Sequence, residues 1–140
     1  MYIDAFAGAG VHISKATGEY VHGSPTNALL VQPPFREYYL IDIDRQKVTR
    51  LRDETKDRKD VHIDEGDCNR ILLEKVFPNV RWEQYRRGLC LLDPYGLQLD
   101  WKVDRDCRQD AFDRHVLELP GGGHESKRVG GILKASTRQT

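Results

Sequence analysis

The sequence has no long hydrophobic run and no surplus of charge of either sign. No apolar stretch approaches the ~20 residues that a membrane-spanning helix needs, and no signal-peptide pattern is present, so we expect a cytoplasmic protein without a membrane association. Lysine plus arginine and aspartate plus glutamate each number 22. The chain therefore lacks the overall basic charge that marks a protein binding nucleic acid through its whole surface.

Cysteine is scarce, and histidine occurs without the spacing of a metal site. The cysteines Cys68, Cys90 and Cys107 are far apart in the chain, which fits neither a CxxC redox motif nor a zinc knuckle. The histidines form no H-x-x-x-H or H-E-x-x-H pair. We therefore expect reduced thiols and no metal. A chain of 140 residues forms at most one domain.

The most informative stretch is residues 2–10, with the sequence YIDAFAGAG. Its first residues, Tyr2 to Asp4, are predicted to form a buried strand that ends in the acid and enters a turn containing Gly8 and Gly10. Such a turn opens the nucleotide site of Rossmann-like folds, because glycine lets the backbone approach a ligand and the turn points N–H groups at it. The alternative is a tight turn without a ligand.

Further apolar runs that end in acids follow at regular intervals. Between them we predict a polar loop, helices capped by Ser24, Asp44 and Asn69, and ends at Pro33-Pro34 and near Lys56. The predicted later strands are Tyr38–Asp42, Val61–Ile63 and Leu89–Asp93, and the loop is Val11–Gly23. This alternation predicts an α/β fold with a parallel sheet, helices on both faces and right-handed crossovers.

Four acids therefore stand at or just after the carboxyl ends of the predicted strands, where ligands bind in such sheets. They are expected to converge: Asp4, Asp42, Asp67 and Asp93. After Trp101 the pattern is lost, with no alternation and no helical periodicity. We expect residues 102–140 to form a separate, disordered tail.

The four acids suit S-adenosylmethionine. Asp4 and the turn with Phe6, Gly8 and Gly10 would hold its amino-acid end. Asp42 would accept hydrogen bonds from the ribose hydroxyls, and Asp67 with Cys68 would recognise the adenine amino group. A competing cofactor is NAD, but the loop lacks a full G-x-G-x-x-G and has no helix directly behind it. The alternative without a ligand is that these aspartates only cap helices and turns.

The segment Asp93-Pro94-Tyr95 would face the methyl donor and the acceptor. Amino-methyltransferases that act on bases place an acid, then Pro-Pro-Tyr or a similar sequence, at this point. The acid and a prolyl carbonyl hold the target amine while the aromatic ring stacks on a flipped base. One proline stands here instead of two, so a plain turn is the alternative. A catalytic role for these residues predicts a nucleobase or another amine as the acceptor, with nucleic acid as a candidate substrate.

The combined pattern resembles the three-Cys-motif partner protein family, TcmP. The matching pieces are YIDAFAGAG, then GSP at 23–25, IDID at 41–44, EGDCN at 65–69 and LDPYG at 92–96. The resemblance covers about residues 2–101 and implies a Rossmann-like class I methyltransferase-type domain of bacteria or archaea, with a three-Cys-motif protein as its partner. It also implies cofactor roles for the acids and glycines of the turns. It names no substrate, and a non-catalytic interaction protein is the alternative function.

The resemblance also predicts that this chain is incomplete. Family members carry a helix before the first strand and continue beyond LDPYG in ways that residues 102–140 do not match. Written as degenerate codons and read from the second base, residues 111–129 permit SIDMFLNFPVADMNRN, which is similar to the family's continuation. We expect a truncated, frame-shifted product with about four strands in the spatial order 3-2-1-4. Its fourth strand would be an unpaired edge, so poor stability and no catalysis by this chain are expected.

Overall fold

A computed structural model describes residues 1–80, 86–94 and 98–109. Within these ranges a four-stranded sheet is accompanied by a small hairpin and by helices. The elements are β1 (Tyr2–Asp4), β2 (Val11–Ile13), β3 (Tyr20–His22), α1 (Ser24–Leu30), β4 (Tyr38–Asp42), α2 (Arg45–Glu54), β5 (Val61–Glu65), α3 (Cys68–Ile71), β6 (Leu89–Leu91) and α4 (Trp101–Gln109). One π-helical turn, Leu72–Val76, and one 3₁₀ turn, Phe77–Asn79, continue α3.

The sheet is parallel throughout and has the strand order β5-β4-β1-β6. Tyr2 of β1 lies beside Tyr38 of β4 on one side and Leu89 of β6 on the other. The predicted parallel α/β sheet is confirmed. The predicted order 3-2-1-4 is confirmed as well, because the four predicted strands are, in chain order, β1, β4, β5 and β6. Along the chain, β4 is added beside β1 and β5 beside β4, whereas β6 returns to the other side of β1.

Alternating side chains of the central strands pack into two separate cores, one on each face of the sheet. Ile3 and Ile41 face the core that α3, its continuation and α4 cover. Leu40, one residue from Ile41, faces the core that α1 and α2 cover, with Ala28 and Leu51 as contacts. Because both faces are covered, every residue of the central strands β1 and β4 is buried, which is why these strands were detectable as continuous apolar runs before their terminal acids.

The segment predicted as a loop, Val11–Gly23, instead contains the antiparallel hairpin β2–β3. Its strands have three residues each, and Ile13, Tyr20 and Val21 are exposed. An exposed strand of this length has no apolar alternation against a core, so no periodic pattern announced it. Ser24 is the first residue of α1 and not its N-cap, which is Gly23.

Several other boundaries differ from those predicted. Asp44 is the N-cap of α2 as expected, but the helix ends at Glu54, before Lys56. Asp67, not Asn69, is the N-cap of α3. The remaining shifts are at strand and helix ends: α1 ends at Leu30, β5 extends to Glu65, and β6 ends at Leu91.

Helix α4 corrects the prediction that no periodic structure follows Trp101. Val103 and Cys107, one helical turn apart, are buried in the core beside Cys90. The rest of the helix is polar or charged apart from the exposed Trp101, so two apolar residues carry its packing and the periodicity is too short to recognise in the sequence. Residues 110–140 of the predicted tail lie outside the described residues. Among those that are described, no helix has the length and apolar character needed to cross a bilayer.

Candidate functional site

A cavity of about 430 Å³ opens at the carboxyl ends of three adjacent strands, β1, β4 and β5. Small-molecule sites in proteins usually occupy about 300–1,000 Å³, so the cavity has room for a nucleoside-sized ligand. The carboxyl edge of a parallel sheet is also where such ligands bind. Its lining comes from the three strand-end turns and from one later segment: Ala5, Phe6, Gly8, Asp42, Ile43, Lys47, Gly66, Asp67, Cys68 and Gln98.

The turn after β1 is tied to the end of β4. Gly8 has a φ of +68° and its N–H donates to Oδ2 of Asp42 at 2.8 Å. The N–H of Ala7 donates to the carbonyl of Ile41 at 2.9 Å. A Cβ added at Gly8 would meet no atom within 4 Å, because this residue faces the open cavity. Glycine is needed here for its left-handed backbone conformation.

Asp42 is the acid best placed to meet a ligand. Its residue is only 8% exposed, yet its carboxylate lines the cavity. Oδ2 accepts the Gly8 N–H and Oδ1 accepts the Asp44 N–H, each at 2.8 Å. A carboxylate oxygen accepts more than one hydrogen bond, so both oxygens keep acceptor capacity for hydroxyl groups while the backbone bonds hold them in place.

Two residues of this wall were missed by sequence reasoning, Ile43 and Lys47. Ile43 is 78% exposed although it lines the cavity. The sequence carried no signal for it, because its exposure is visible only in the structure and single exposed apolar residues are common on protein surfaces. Lys47 lies in the first turns of α2, with its Nζ 3.9 Å from Oδ2 of Asp44. This long ion pair leaves the ammonium group available to the cavity.

The third side of the cavity is the turn after β5. The N–H of Gly66 donates to the carbonyl of Asp42 at 3.0 Å, and Asp67 caps α3 by accepting the Asn69 N–H at 3.0 Å. Cys68 follows and is buried. Burial, and then the neighbouring charge of Asp67, raise the pKa of the Cys68 thiol to about 11. The thiol is therefore protonated at neutral pH and forms a wall of the cavity, not a nucleophile.

Asp4 does not line the cavity but lies beneath the turn. It is 1% exposed, and its Oδ2 accepts hydrogen bonds from Ser24 Oγ at 2.5 Å and from the Tyr2 hydroxyl at 3.0 Å. Its Oδ1 accepts the N–H of Phe6 at 3.2 Å. Burial raises the pKa of Asp4, although these three hydrogen bonds oppose the rise. The geometry makes Asp4 a support for the glycine turn.

Gly10 is likewise a packing residue and not part of the cavity lining. Its φ is +78°, and a Cβ there would lie 2.9 Å from Oγ1 of Thr26. The Gly10 carbonyl accepts a hydrogen bond from that hydroxyl at 2.6 Å and from the Gly23 N–H at 2.7 Å. These bonds close the base of the β2–β3 hairpin against the start of α1.

The predicted acceptor side is only partly described. Asp93 and Pro94 follow β6 and are half-buried, and Asp93 is near enough to Asp4 for its charge to raise the pKa of that carboxyl. Neither residue lines the cavity, and Tyr95 lies outside the described residues. The four acids therefore do not all meet at one place: Asp42 and Asp67 face the cavity, while Asp4 and Asp93 form a second group beside it.

The three cysteines are free thiols buried in one core cluster. A side-chain hydrogen bond between Cys107 of α4 and Cys90 of β6 is the first cause that raises the pKa of the Cys90 thiol. In the described part of the chain, no three histidine, cysteine or acidic side chains come together as a metal site would require. The thiols act as core side chains.

No protein-family model matches this chain, and no curated protein matches it significantly. The resemblance to the three-Cys-motif partner family consequently stays a prediction from the quoted motifs.

Proposed function

We propose that the cavity binds the nucleoside part of S-adenosylmethionine, and that the chain is a fragment of a methyltransferase-like Rossmann protein similar to the three-Cys-motif partner family. The observation that carries this proposal is the order of groups around one cavity. A glycine turn follows β1, an acid with free acceptor capacity ends β4, and an acid-capped helix follows β5. This is the order in which the methionine, ribose and adenine parts of the cofactor would be contacted.

Each group in the cavity has a chemical partner in such a ligand. The Asp42 oxygens suit the ribose hydroxyls, because they are acceptors held by backbone N–H groups. The exposed side chain of Ile43 suits the apolar face of an adenine ring. Asp67 can accept from the exocyclic amino group of the base. The turn at Phe6 and Gly8 is left for the methionine end, with Asp4 supporting it from below.

The cofactor, when bound, would supply an electrophilic methyl group on its sulfonium. The part of the chain that would receive an acceptor is the segment Asp93-Pro94-Tyr95 after β6. An amine held by Asp93 and the Pro94 carbonyl would fit the predicted acceptor class, a nucleobase or another amine.

A second candidate function is that of an interaction protein that works with a three-Cys-motif protein without catalysis. The observation in its favour is the position of β6, which ends the sheet in the described part of the chain. Beside β6 lies an apolar groove of about 240 Å³ bounded by Ala28, Val31 and Phe35 on the α1 side. A strand that pairs on one side only within the described part of the chain, next to an apolar groove, is suited to strand addition by a partner.

Calorimetric titration of S-adenosylhomocysteine into the purified chain tests the first proposal. We expect saturable binding that falls more than about tenfold in Asp42→Ala, since a hydrogen bond to a charged group contributes about 1.5–3 kcal/mol. Ile43→Ala should weaken binding about threefold to tenfold through lost apolar contact. Because Ile43 is exposed, this second variant leaves the fold intact. The matched control is Asp53→Ala, an exposed acid on α2 away from the cavity.

Either of two results would contradict the cofactor proposal. The first is no binding by a chain that circular dichroism shows to be folded, which would favour the interaction protein. The second is binding that Ile43→Ala and Asp42→Ala leave as strong as the control does. If the wild-type chain is unfolded, the same titration is carried out on the product of the frame-corrected gene.

A further inference from the structure

The side chain of Asn69 connects two distant parts of the chain. Its Nδ2 donates to the carbonyl of Gln98 at 2.9 Å, and its Oδ1 accepts the N–H of Asp100 at 2.8 Å. The same Nδ2 lies 3.2 Å from Oδ1 of Asp67. One amide group therefore holds the start of α3 and the 98–100 segment in a fixed relation.

These bonds are not helix capping of α3. That helix already has an N-cap, because Asp67 accepts the Asn69 backbone N–H. The Asn69 side chain is directed away from its own helix, to the backbone that precedes α4. The Asp100 carbonyl in turn accepts the N–H groups of Val103 and Asp104, at 2.9 and 3.3 Å. Asn69 thus fixes the point at which α4 begins.

Both residues beside Asn69 in this arrangement line the cavity. Asp67 stands on one side and Gln98 on the other. Gln98 is exposed, and its neighbour Leu99 packs against the core, so Leu99 and the two bonds from Asn69 together place this segment over the cavity. Only an asparagine has a donor and an acceptor on a side chain of this length. Aspartate could accept from Asp100 but could not donate to Gln98.

We propose that Asn69 is a positioning residue for the base-binding end of the cavity. It orients the Asp67 carboxylate and holds Gln98 opposite it, so that the two side chains form the recognition surface for the Watson–Crick edge of adenine. This inference rests on the proposed function for its ligand. The structural part, the attachment of the 98–100 segment by Asn69, is independent of any ligand.

Amide hydrogen exchange on the full chain tests the structural part. In the wild type we expect a protected Asp100 amide, and in Asn69→Ala an Asp100 exchange rate about fivefold to tenfold higher, the effect of one lost hydrogen bond. The Leu40 amide in the central strand serves as the internal reference for folding. The matched control is Asn79→Ala, which removes an amide that donates to the Lys75 carbonyl at 2.8 Å in the helical run after α3. It should leave Asp100 unchanged.

Titration of S-adenosylhomocysteine and of S-inosylhomocysteine tests the base-recognition part. These ligands differ only in the base edge, where adenine carries an amino group that Asp67 can accept from. We expect the wild type to prefer the adenine compound about tenfold, and Asn69→Ala to reduce that preference to about twofold. Asn69→Asp keeps the acceptor for Asp100 and should retain Asp100 protection better than the alanine variant, while it still loses the preference.

The outcomes separate the structural role of Asn69 from its role in base recognition. Equal weakening of both ligands in Asn69→Ala would mean a structural role alone and would overturn the positioning role. An unprotected Asp100 amide in the wild type, or one that Asn69→Ala leaves unchanged, would overturn the attachment itself. Failure of the wild type to bind either ligand would overturn the proposed function and the base recognition with it, and the exchange experiment would still decide whether Asn69 holds the segment. If Asn69→Ala does not fold, protection of the Asp100 amide in the wild type tests the attachment, and the loss of the adenine preference in Asn69→Asp tests the positioning role.

Discussion

The two lateral halves of the sheet are built differently. On the β4–β5 side, the turns that follow the strands are bonded to one another through Asp42, which holds both Gly8 and Gly66. On the other side β6 has only three residues, and its flanking leucines Leu89 and Leu91 are half-buried beside an apolar groove. The comparison shows that the cavity is formed almost wholly within the first 80 residues, whereas the β6 side depends on a single strand and on α4.

The largest difference expected from this comparison is in stability. Ile41 of β4 is fully buried and Leu91 of β6 is not. Ile41→Ala should lower the free energy of unfolding by about 2–5 kcal/mol, because it leaves a cavity in the core. Leu91→Ala should cost about 1 kcal/mol, because its side chain already contacts solvent. Urea denaturation of both variants measures the difference.

An equal loss of unfolding free energy in these two variants would contradict the difference between the two halves, since it would show that β6 is as well packed as the central strands. Ile41→Val, which removes one methyl group, is the smaller step if the alanine variant is unfolded. It should cost about 0.5–1.5 kcal/mol.

A smaller effect separates the two glycines of the first turn. Both have positive φ, so an alanine at either position is expected to cost about 1–2 kcal/mol from the left-handed backbone. Gly10→Ala should cost more than Gly8→Ala, because its new methyl group would contact Thr26 at 2.9 Å while that of Gly8 would enter open space. Thermal unfolding would measure this order.

Ligand binding should be weakened more by Gly8→Ala than by Gly10→Ala. The methyl group of Gly8→Ala would stand in the cavity and should weaken S-adenosylhomocysteine binding, whereas Gly10 lies outside the cavity lining. If Gly8→Ala binds as the wild type does, the first turn is not part of the ligand site.

The smallest effect concerns Asp4, where the two halves meet. Burial raises its pKa in the folded protein, and Asp93 on the β6 side adds to the rise. A carboxyl with a raised folded-state pKa contributes stability that is complete below its ordinary pKa and is lost as pH rises through the folded-state pKa. Asp4→Asn removes this titration, so its stability relative to the wild type should increase as pH rises above about 4.

Denaturation curves of wild type and Asp4→Asn at several pH values test this sign. The control is Asp93→Asn, which removes the neighbouring charge and should make the Asp4 effect smaller. The opposite sign would be a wild type that becomes more stable, relative to Asp4→Asn, as pH rises. It would mean that the hydrogen bonds from Ser24 and Tyr2 lower the pKa of Asp4 by more than burial raises it.

The sequence revealed the sheet because its strands are continuous apolar runs with acids at or near their ends. Strands covered on both faces have this appearance, so Tyr38–Asp42 was found with its observed bounds. The β2–β3 hairpin and α4 were missed for the opposite reason, since the first is exposed and the second buries little more than Val103 and Cys107. Periodicity reports burial, and elements with little burial leave no periodic signal.

The site was predictable only in part. A strand that ends in an acid places that acid at the carboxyl edge, but it does not say which way the side chain turns. Asp42 faces the cavity, whereas Asp4, at the same relative position on its own strand, is held below by Ser24 and Tyr2. Ile43, Lys47 and Gln98 carried no motif and became candidates only through their place in the cavity wall.

The sequence alone determined the parallel sheet, because apolar runs alternate with helices along the chain; the order of the strands was predicted from the resemblance to a methyltransferase-type sheet. The sequence also determined that glycine and acidic turns follow those strands. The tertiary structure decided which of the acids can meet a ligand and which support a turn. It also made Asn69 a link between segments about thirty residues apart. Hydrogen bonds between distant parts of the chain set these orientations, and no local pattern contains them.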